Sequence, residues 1–172
     1  MANSFKVRIV LKAALLAGLF GLGGCFQPMY APSSGRDVRA ELQGISLSPI
    51  SGMAGHYLEN ELRFALDGSG NAAGNKYILQ VTLNERTQTP LVDTVTGRAT
   101  ANSVYTTAQY KLIPTGGKEP LVEGSVVSLA SYDRSSQRFA NIRAARDAEI
   151  RNARELAQEI RTRLAAELAT RG

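Results

Sequence analysis

The sequence predicts an α/β (α+β) two-layer sandwich, in which a mixed or antiparallel sheet of about four strands carries two helices packed on one face. Three observations predict it. Apolar and polar side chains alternate through the middle of the 172-residue chain, apolar residues recur every fourth position from residue 58 to 66, and residues 137–170 contain neither Gly nor Pro. The predicted order of elements is β-α-β-β-β-α.

The first strand and the first helix are predicted between residues 42 and 67. Leu42, Ile45 and Leu47 give an approximate alternation before Ser48-Pro49, which predicts a strand within residues 42–50. Leucines at positions 58, 62 and 66 form one stripe of a helix over residues 52–67, and a Gly-Ser-Gly segment follows it.

The next three strands are predicted from alternation and from breaker residues. Residues 76–88 alternate most clearly, because Tyr77, Leu79, Val81 and Leu83 are separated by polar residues. A loop over residues 89–97 contains Pro90, and strands follow at residues 98–113 and 121–132. The turn at residues 114–120 joins the last two strands, which should therefore pair as an antiparallel hairpin.

Residues 137–170 predict a long helix whose N-cap is Ser135 or Ser136. Its apolar residues fall on one stripe, which should pack on the sheet; they are Ala153, Leu156, Ala157, Ile160, Leu164 and Leu168. A coiled coil or a membrane-surface helix is the alternative, and the mixed sign of the polar face opposes the latter. The other face of the sheet carries Thr, Gln, Asn and Tyr, so it is free to face water or a partner.

Residues 1–24 have the features of a bacterial secretory signal peptide. Lys6, Arg8 and Lys12 precede an apolar, glycine-rich run of about a dozen residues, shorter than the roughly 20 apolar residues that span a bilayer. A retained anchor helix is the alternative. Loss of this segment lowers the formal net charge from +5 to +2, which argues against a strongly basic nucleic-acid binder.

The single cysteine of the chain ends the segment Leu22-Gly23-Gly24-Cys25, which resembles the lipobox of bacterial lipoproteins. The resemblance implies cleavage before Cys25, a diacylglyceryl group on its thiol and acylation of its amino group; a free cysteine after an ordinary signal peptide is the alternative. Because more than one acyl chain gives stable anchoring, such a protein stays on its membrane. In bacterial lipoproteins that are not sent to the outer membrane, an Asp follows the lipidated cysteine. Phe26 is at this position here, so the resemblance implies that the protein is in the outer membrane. Residues 25–41 are then a lipidated flexible tether, and residues 42–172 form a single domain.

Catalytic and metal-binding patterns are missing from the sequence. The single His and the lack of a G-x-S-x-G elbow argue against a Ser-His-Asp triad, and the single Cys excludes a multi-cysteine zinc site. No phosphate-binding loop is present. We therefore expect no enzyme activity, no metal and no cofactor apart from the lipid on Cys25. Binding is the better class of function, because Lys and Arg side chains on strands and their loops can pair with phosphates. The candidates are Arg86, Arg98, Lys111 and Lys118.

The segment Cys25-Phe26-Gln27-Pro28-Met29-Tyr30 resembles the start of the mature lipopolysaccharide-assembly lipoproteins of the LptE family, here without a Gly after the Cys and with Met for Leu. Residues 139–149 and 157–164 are similar to the last helix of the alphaproteobacterial members. The resemblance implies an outer-membrane lipoprotein that plugs the LptD β-barrel, assists its assembly and takes part in lipopolysaccharide transport to the outer leaflet. Its expected partners are an LptD-like barrel and lipopolysaccharide, with no nucleic acid, and the four basic residues would contact phosphates or acidic walls of the barrel.

Two other functions stay open. The first is an outer-membrane-anchored periplasmic interaction lipoprotein with no lipopolysaccharide role. The second is a lipoprotein hydrolase that uses paired carboxylates, which would need activity on a substrate panel to support it.

Overall fold

The computed structural model describes residues 37–67, 75–92 and 99–170. They belong to one compact unit, Ser33–Gly172. Numbered in chain order, the helices and strands are α1 (Val38–Gln43), β1 (Ile45–Leu47), α2 (Met53–Asp67), β2 (Tyr77–Val92), β3 (Ala99–Pro114), β4 (Val122–Asp133) and α3 (Arg138–Thr170).

The four strands form one mixed sheet in the order β1-β2-β3-β4. β1 pairs with β2 in parallel, and α2 makes the crossover between them. β2 pairs with β3 and β3 with β4 in antiparallel fashion, so the predicted hairpin between the last two strands is confirmed. The predicted fold class is confirmed as well.

The core lies between the sheet and the two longer helices. All three leucines of the predicted α2 stripe are buried, and so are all six apolar residues predicted for α3. From the sheet, the buried inward side chains include Leu79, Val104, Ala108, Leu112 and Val126. The pattern follows from geometry, since alternate residues of a strand share a face and every third or fourth residue of a helix does.

A buried polar cluster fixes how α3 lies on the sheet. The side-chain amide of Asn152 donates to the carbonyl oxygen of Val104 at 2.9 Å and to Thr106 Oγ1 at 3.0 Å. The Ser128 hydroxyl lies 2.8 Å from Asn152 Oδ1 and 2.7 Å from Glu155 Oε2, and donates its one proton to either. Buried polar groups are costly unless they are paired, so this cluster favours one register of α3 over β3 and β4.

Gly124 makes room for a buried aromatic ring on the inner face. It stands opposite Tyr110 in the β3–β4 pair, and a Cβ atom at residue 124 would lie 2.6 Å from the Tyr110 hydroxyl oxygen. The glycine therefore leaves room for the buried Tyr110 ring beside β4.

The first part of the domain differs from the prediction. Two helices were expected, and the described residues form three, because Val38–Gln43 forms α1 where the end of the tether and the start of a strand were predicted. Asp37 caps α1 through its carboxylate, which accepts from the Arg39 amide at 2.9 Å, and Gly44 ends it. The predicted strand over 42–50 is thereby shortened to three residues.

Two further boundaries differ. β2 continues to Val92 through the predicted loop and past Pro90, with irregular pairing between Gln88 and Val92 that accommodates a residue without an amide hydrogen. α3 begins at Arg138, after both predicted N-cap serines. Ser135 still contributes, because its hydroxyl accepts from the Gln137 amide at 3.2 Å.

Candidate functional site

The face of the sheet that points away from the helices is the candidate site. α3 lies along the inner face of β4, where Arg151 and Arg163 donate to the carbonyl oxygens of Ser131 and Ser125, each at 3.0 Å. Most outward side chains of β2, β3 and β4 are exposed, and among the described residues no helix lies over them. We call this surface the open face; its described outward residues from the three long strands include Gln80, Thr82, Asn84, Arg86, Tyr105, Thr107, Gln109, Lys111, Glu123, Ser125, Val127 and Leu129.

The middle of the open face is apolar. Tyr105 stands opposite Leu129 in the β3–β4 pairing, and Val127 is the next outward residue of β4. Leu129 is 47% exposed and Val127 63% exposed, while Tyr105 is 37% exposed. Large apolar side chains that are adjacent and uncovered are typical of interaction surfaces.

Towards the start of β2, the open face is polar. Thr82, Gln109 and Ser125 follow one another across the three strands, and Gln80, Lys111 and Glu123 form the next row. Lys111 and Glu123 are 3.6 Å apart and both are mostly exposed, so their ion pair adds little stability. Hydroxyl, amide and charged groups in rows can bind water or a polar wall without any loss of core packing.

The predicted basic residues do not form one cluster. Arg86 and Lys111 both lie on the open face, but Arg86 pairs with Tyr105 and Lys111 with Gln80, which puts them six residues, or about 20 Å, apart along the strands. Lys118 is exposed in the turn between β3 and β4. Arg98 and Cys25 lie outside the described residues. Two different phosphates, or two different acidic groups, are needed to engage Arg86 and Lys111 together.

Arg86 borders a shallow depression at the edge of the open face. The depression has a volume of about 530 Å³ and is lined by Asn84, Glu85, Arg86, Thr107 and Gln109. A guanidinium beside two amides and a hydroxyl can bind an oxyanion through charge-assisted hydrogen bonds, whereas the Glu85 carboxylate opposes it through its negative charge. Nothing here supplies a nucleophile with a base, and within the described ranges no group of three or more His, Cys, Asp or Glu side chains is arranged to hold a metal ion.

A pair of carboxylates lies on the opposite, inner side of β2. Glu85 and Glu149 line a depression of about 280 Å³ beside the start of α2. Partial burial and then the negative charge of Glu149 raise the pKa of Glu85, and a 3.5 Å hydrogen bond from Thr106 opposes this. Glu85 is exposed and also lines the depression beside Arg86, so the carboxylate pair borders the open face.

The sequence did not predict the apolar middle of the open face. The signal was present, because the run Ser125–Leu129 includes Val126 and Val127 side by side and so departs from strict alternation. Only the register shows that Tyr105 of the neighbouring strand stands next to Leu129. A single sequence cannot supply that pairing.

The match to a family model decides the family to which this chain belongs. The family model LptE, described as lipopolysaccharide-assembly, matches residues 42–164. The chain belongs to the LptE family. It is thus a member of a lipoprotein family that acts in lipopolysaccharide assembly at the outer membrane.

Solved structures agree with the family assignment. A Caulobacter crescentus protein described as a lipoprotein is 25% identical, with a TM-score of 0.66 over 77% of this chain and 96% of that one. The minor lipoprotein of Acinetobacter baumannii is 18% identical and shares the fold, with a TM-score of 0.55 over 71% of this chain and 90% of that one. None of the curated protein sequences matches this LptE-family chain at a significant level. In the described ranges of the chain, no helix combines the length and the apolar character that crossing a membrane requires.

Proposed function

We propose that this chain is anchored to the outer membrane through lipid on Cys25, plugs an LptD-like β-barrel with its open face against the barrel interior, and takes part in lipopolysaccharide transport. The observation that carries the proposal is the open face itself, in a protein that belongs to the LptE family. The face is continuous over three strands, is uncovered among the described residues, and combines an apolar middle with rows of polar groups.

The chemistry of the open face suits a barrel interior better than it suits lipid. The inner walls of membrane barrels are polar, and Thr, Gln, Asn and Ser side chains can exchange their bound water for hydrogen bonds to such a wall. The apolar group of Tyr105, Val127 and Leu129 would supply the desolvated centre that a stable contact needs.

The basic side chains extend the proposal to lipopolysaccharide. Arg86 lies in a depression lined with hydrogen-bonding groups, and the weak pair with Glu123 leaves Lys111 able to exchange partners. We expect them to contact phosphates of lipopolysaccharide or acidic groups of the barrel, with Lys118 contributing from the β3–β4 turn. Arg98, which lies outside the described residues, stays a further candidate. The pairing is electrostatic, so salt should weaken it.

The barrel contact is tested by photo-crosslinking in outer membranes. The acylated full chain would carry a photoreactive residue in place of Val127 or Gln109 on the open face, and in place of Phe64 on α2 as the control. We expect a β-barrel protein to be crosslinked from the first two positions and to co-purify in equal amount in mild detergent. A chain that purifies alone and crosslinks to no barrel from any position would support a generic interaction lipoprotein instead.

The lipopolysaccharide contact is tested with the double variant Arg86→Glu/Lys111→Glu. We expect it to bind purified lipopolysaccharide at least tenfold more weakly, since each reversal replaces a charge-assisted contact with repulsion. Arg39→Glu on α1 is the matched control, because it changes charge at an exposed position away from the open face. Unchanged binding by the double variant would overturn the assignment of these two residues.

A further inference from the structure

The first nine residues of α3 differ in charge from the rest of the helix. Residues 138–146 contain Arg138, Arg143 and Arg146 and no acid, and Arg134 precedes them. Farther along the helix, Arg151, Arg154 and Arg163 each pair with a carboxylate, on Asp147, Glu61 and Glu159 respectively. Among the described residues, no carboxylate pairs with any of the four arginines at the start.

Two large apolar side chains are exposed among these arginines. Phe139 is 71% exposed and Ile142 is 51% exposed. With Arg143 and Arg146 they occupy positions i, i+3, i+4 and i+7, so all four lie on one side of the helix. That side is opposite the buried Ala148, which packs on the sheet. We call Arg138, Phe139, Ile142, Arg143 and Arg146 the basic-apolar patch.

The patch is held in place by its own contacts. The Arg143 guanidinium lies 5.7 Å from the centre of the Phe139 ring, within the range of a cation–π contact. At the start of the helix, the Ser135 amide donates to Asn141 Oδ1 at 2.7 Å, and Asn141 Nδ2 donates to the Ser135 carbonyl oxygen at 2.8 Å. These bonds fix the direction in which the first turns of α3 leave the sheet.

The charge pattern opposes the usual preference of a helix. Negative side chains stabilise the first turn of a helix and positive ones stabilise the last. Here the first turn of α3 carries no acid and three arginines lie in the first nine residues. A negatively charged surface near the patch would remove this unfavourable arrangement.

We propose that the basic-apolar patch binds the anionic surface of a phospholipid membrane. Arginines that surround exposed Phe and Ile on one helix side match both parts of such a surface, because the guanidinium groups pair with phosphates while the apolar groups enter the boundary of the acyl chains. The mixed sign of the whole helix does not oppose this, because the acids begin only at Asp147.

The patch lies far from the start of the described domain. α1 contacts the beginning of β2 through the 3.1 Å pair of Lys76 with Glu41, whereas the start of α3 follows the end of β4. These two ends of the long strands are opposite, since Tyr77 pairs with Pro114 and Ala101 with Asp133. The patch and α1 therefore lie at opposite ends of the long strands.

Vesicle binding of the chain from residue 26 onward tests the proposal without the lipid on Cys25. This chain keeps the entire compact unit and its core. We expect it to sediment with vesicles of phosphatidylcholine and phosphatidylglycerol, not with phosphatidylcholine alone, and to be released by salt. Arg138→Gln/Arg143→Gln and Phe139→Ala/Ile142→Ala should each weaken binding about tenfold or more.

Matched variants separate the patch from general charge and from exposed aromatic surface elsewhere. Phe64→Ala removes an aromatic side chain that is 72% exposed on α2, and Arg39→Gln/Arg63→Gln removes two exposed charges from α1 and α2. Both should bind vesicles like the unmodified chain. Equal binding to neutral and anionic vesicles, or unchanged binding by the patch variants, would overturn the proposal.

A fluorescence measurement tests insertion without weakening the patch. The chain has no Trp, so Ile142→Trp introduces a single reporter and Phe64→Trp is its control. Anionic vesicles should shift the emission of the first to shorter wavelength and allow quenching by brominated lipid, with neither effect for the second. Binding to polyglutamate without any spectral change on vesicles would assign the patch to an acidic protein and reject the membrane.

Discussion

The two faces of the sheet have the same backbone geometry and opposite chemical constraints. On the inner face nearly every side chain of β3 from Val104 to Leu112 is buried, and the one polar cluster there is paired around Asn152. On the open face Tyr105, Val127 and Leu129 remain exposed beside polar rows. Burial therefore constrains the inner face through stability, whereas the composition of the open face is left to function.

The largest expected difference between the faces comes from one substitution made on each. Leu112→Ala removes a fully buried side chain from β3 and should lower the free energy of unfolding by about 2–5 kcal/mol through lost burial and a residual cavity. Leu129→Ala makes the same chemical change at a position that is 47% exposed, and should cost about 1 kcal/mol or less. Urea unfolding followed by circular dichroism measures both.

In a binding assay we expect the order of the two effects to reverse, with the larger loss for the variant on the open face. If the open face contacts a barrel, Leu129→Ala should reduce co-purification of the barrel although it leaves stability nearly intact. Similar stability losses in both variants would show that the open face is covered in the isolated protein and would contradict the comparison.

A smaller difference is expected for hydrogen-bonded side chains. Asn152→Ala leaves the carbonyl oxygen of Val104 without its side-chain donor and should cost about 1–3 kcal/mol. Ser131→Ala removes a 2.8 Å contact between an exposed hydroxyl and the buried Ser103 hydroxyl, with no second partner lost, and should cost about 1 kcal/mol.

Thermal unfolding of the two variants checks this prediction, with Thr162→Ala as a control for loss of an exposed hydroxyl on α3. An Asn152→Ala variant as stable as Ser131→Ala would mean that the buried cluster does not fix the helix on the sheet.

Alternation and helical spacing predict the fold because they record burial directly. The stripe of Leu58, Leu62 and Leu66 and the alternation from Tyr77 to Leu83 each report which side meets the core. The helix α1 escapes this reasoning, because six residues hold one buried pair, Val38 and Leu42, which also fits an extended segment. Short elements depend on capping by Asp37 and on contacts that only the folded chain supplies.

The candidate site is less predictable for a related reason. Lys and Arg can be found in a sequence, but their grouping depends on strand register and helix direction. Register separates Arg86 from Lys111 by six positions, and the helix repeat brings Phe139, Ile142 and Arg143 together. An exposed side chain is under no packing constraint, so its neighbours leave no periodic signal.

The smallest expected effect concerns the pair of carboxylates, Glu85 and Glu149, on the inner side of β2. Burial and the charge of Glu149 raise the pKa of Glu85, so the folded protein holds this proton more tightly than the unfolded chain. The contribution to stability is therefore most favourable below the ordinary pKa of Glu and decreases as pH rises through the raised value. Glu85→Gln should stabilise the protein at neutral pH, by about 0.5 kcal/mol or less because solvent screens an exposed group, and the gain should vanish in acid. Urea unfolding at several pH values measures this gain in stability.

A second background tests the cause of the gain. In a Glu149→Gln background the stabilisation by Glu85→Gln should shrink, since part of the repulsion is already gone. A Glu85→Gln variant that is less stable at neutral pH would show that the hydrogen bond from Thr106 outweighs burial and repulsion.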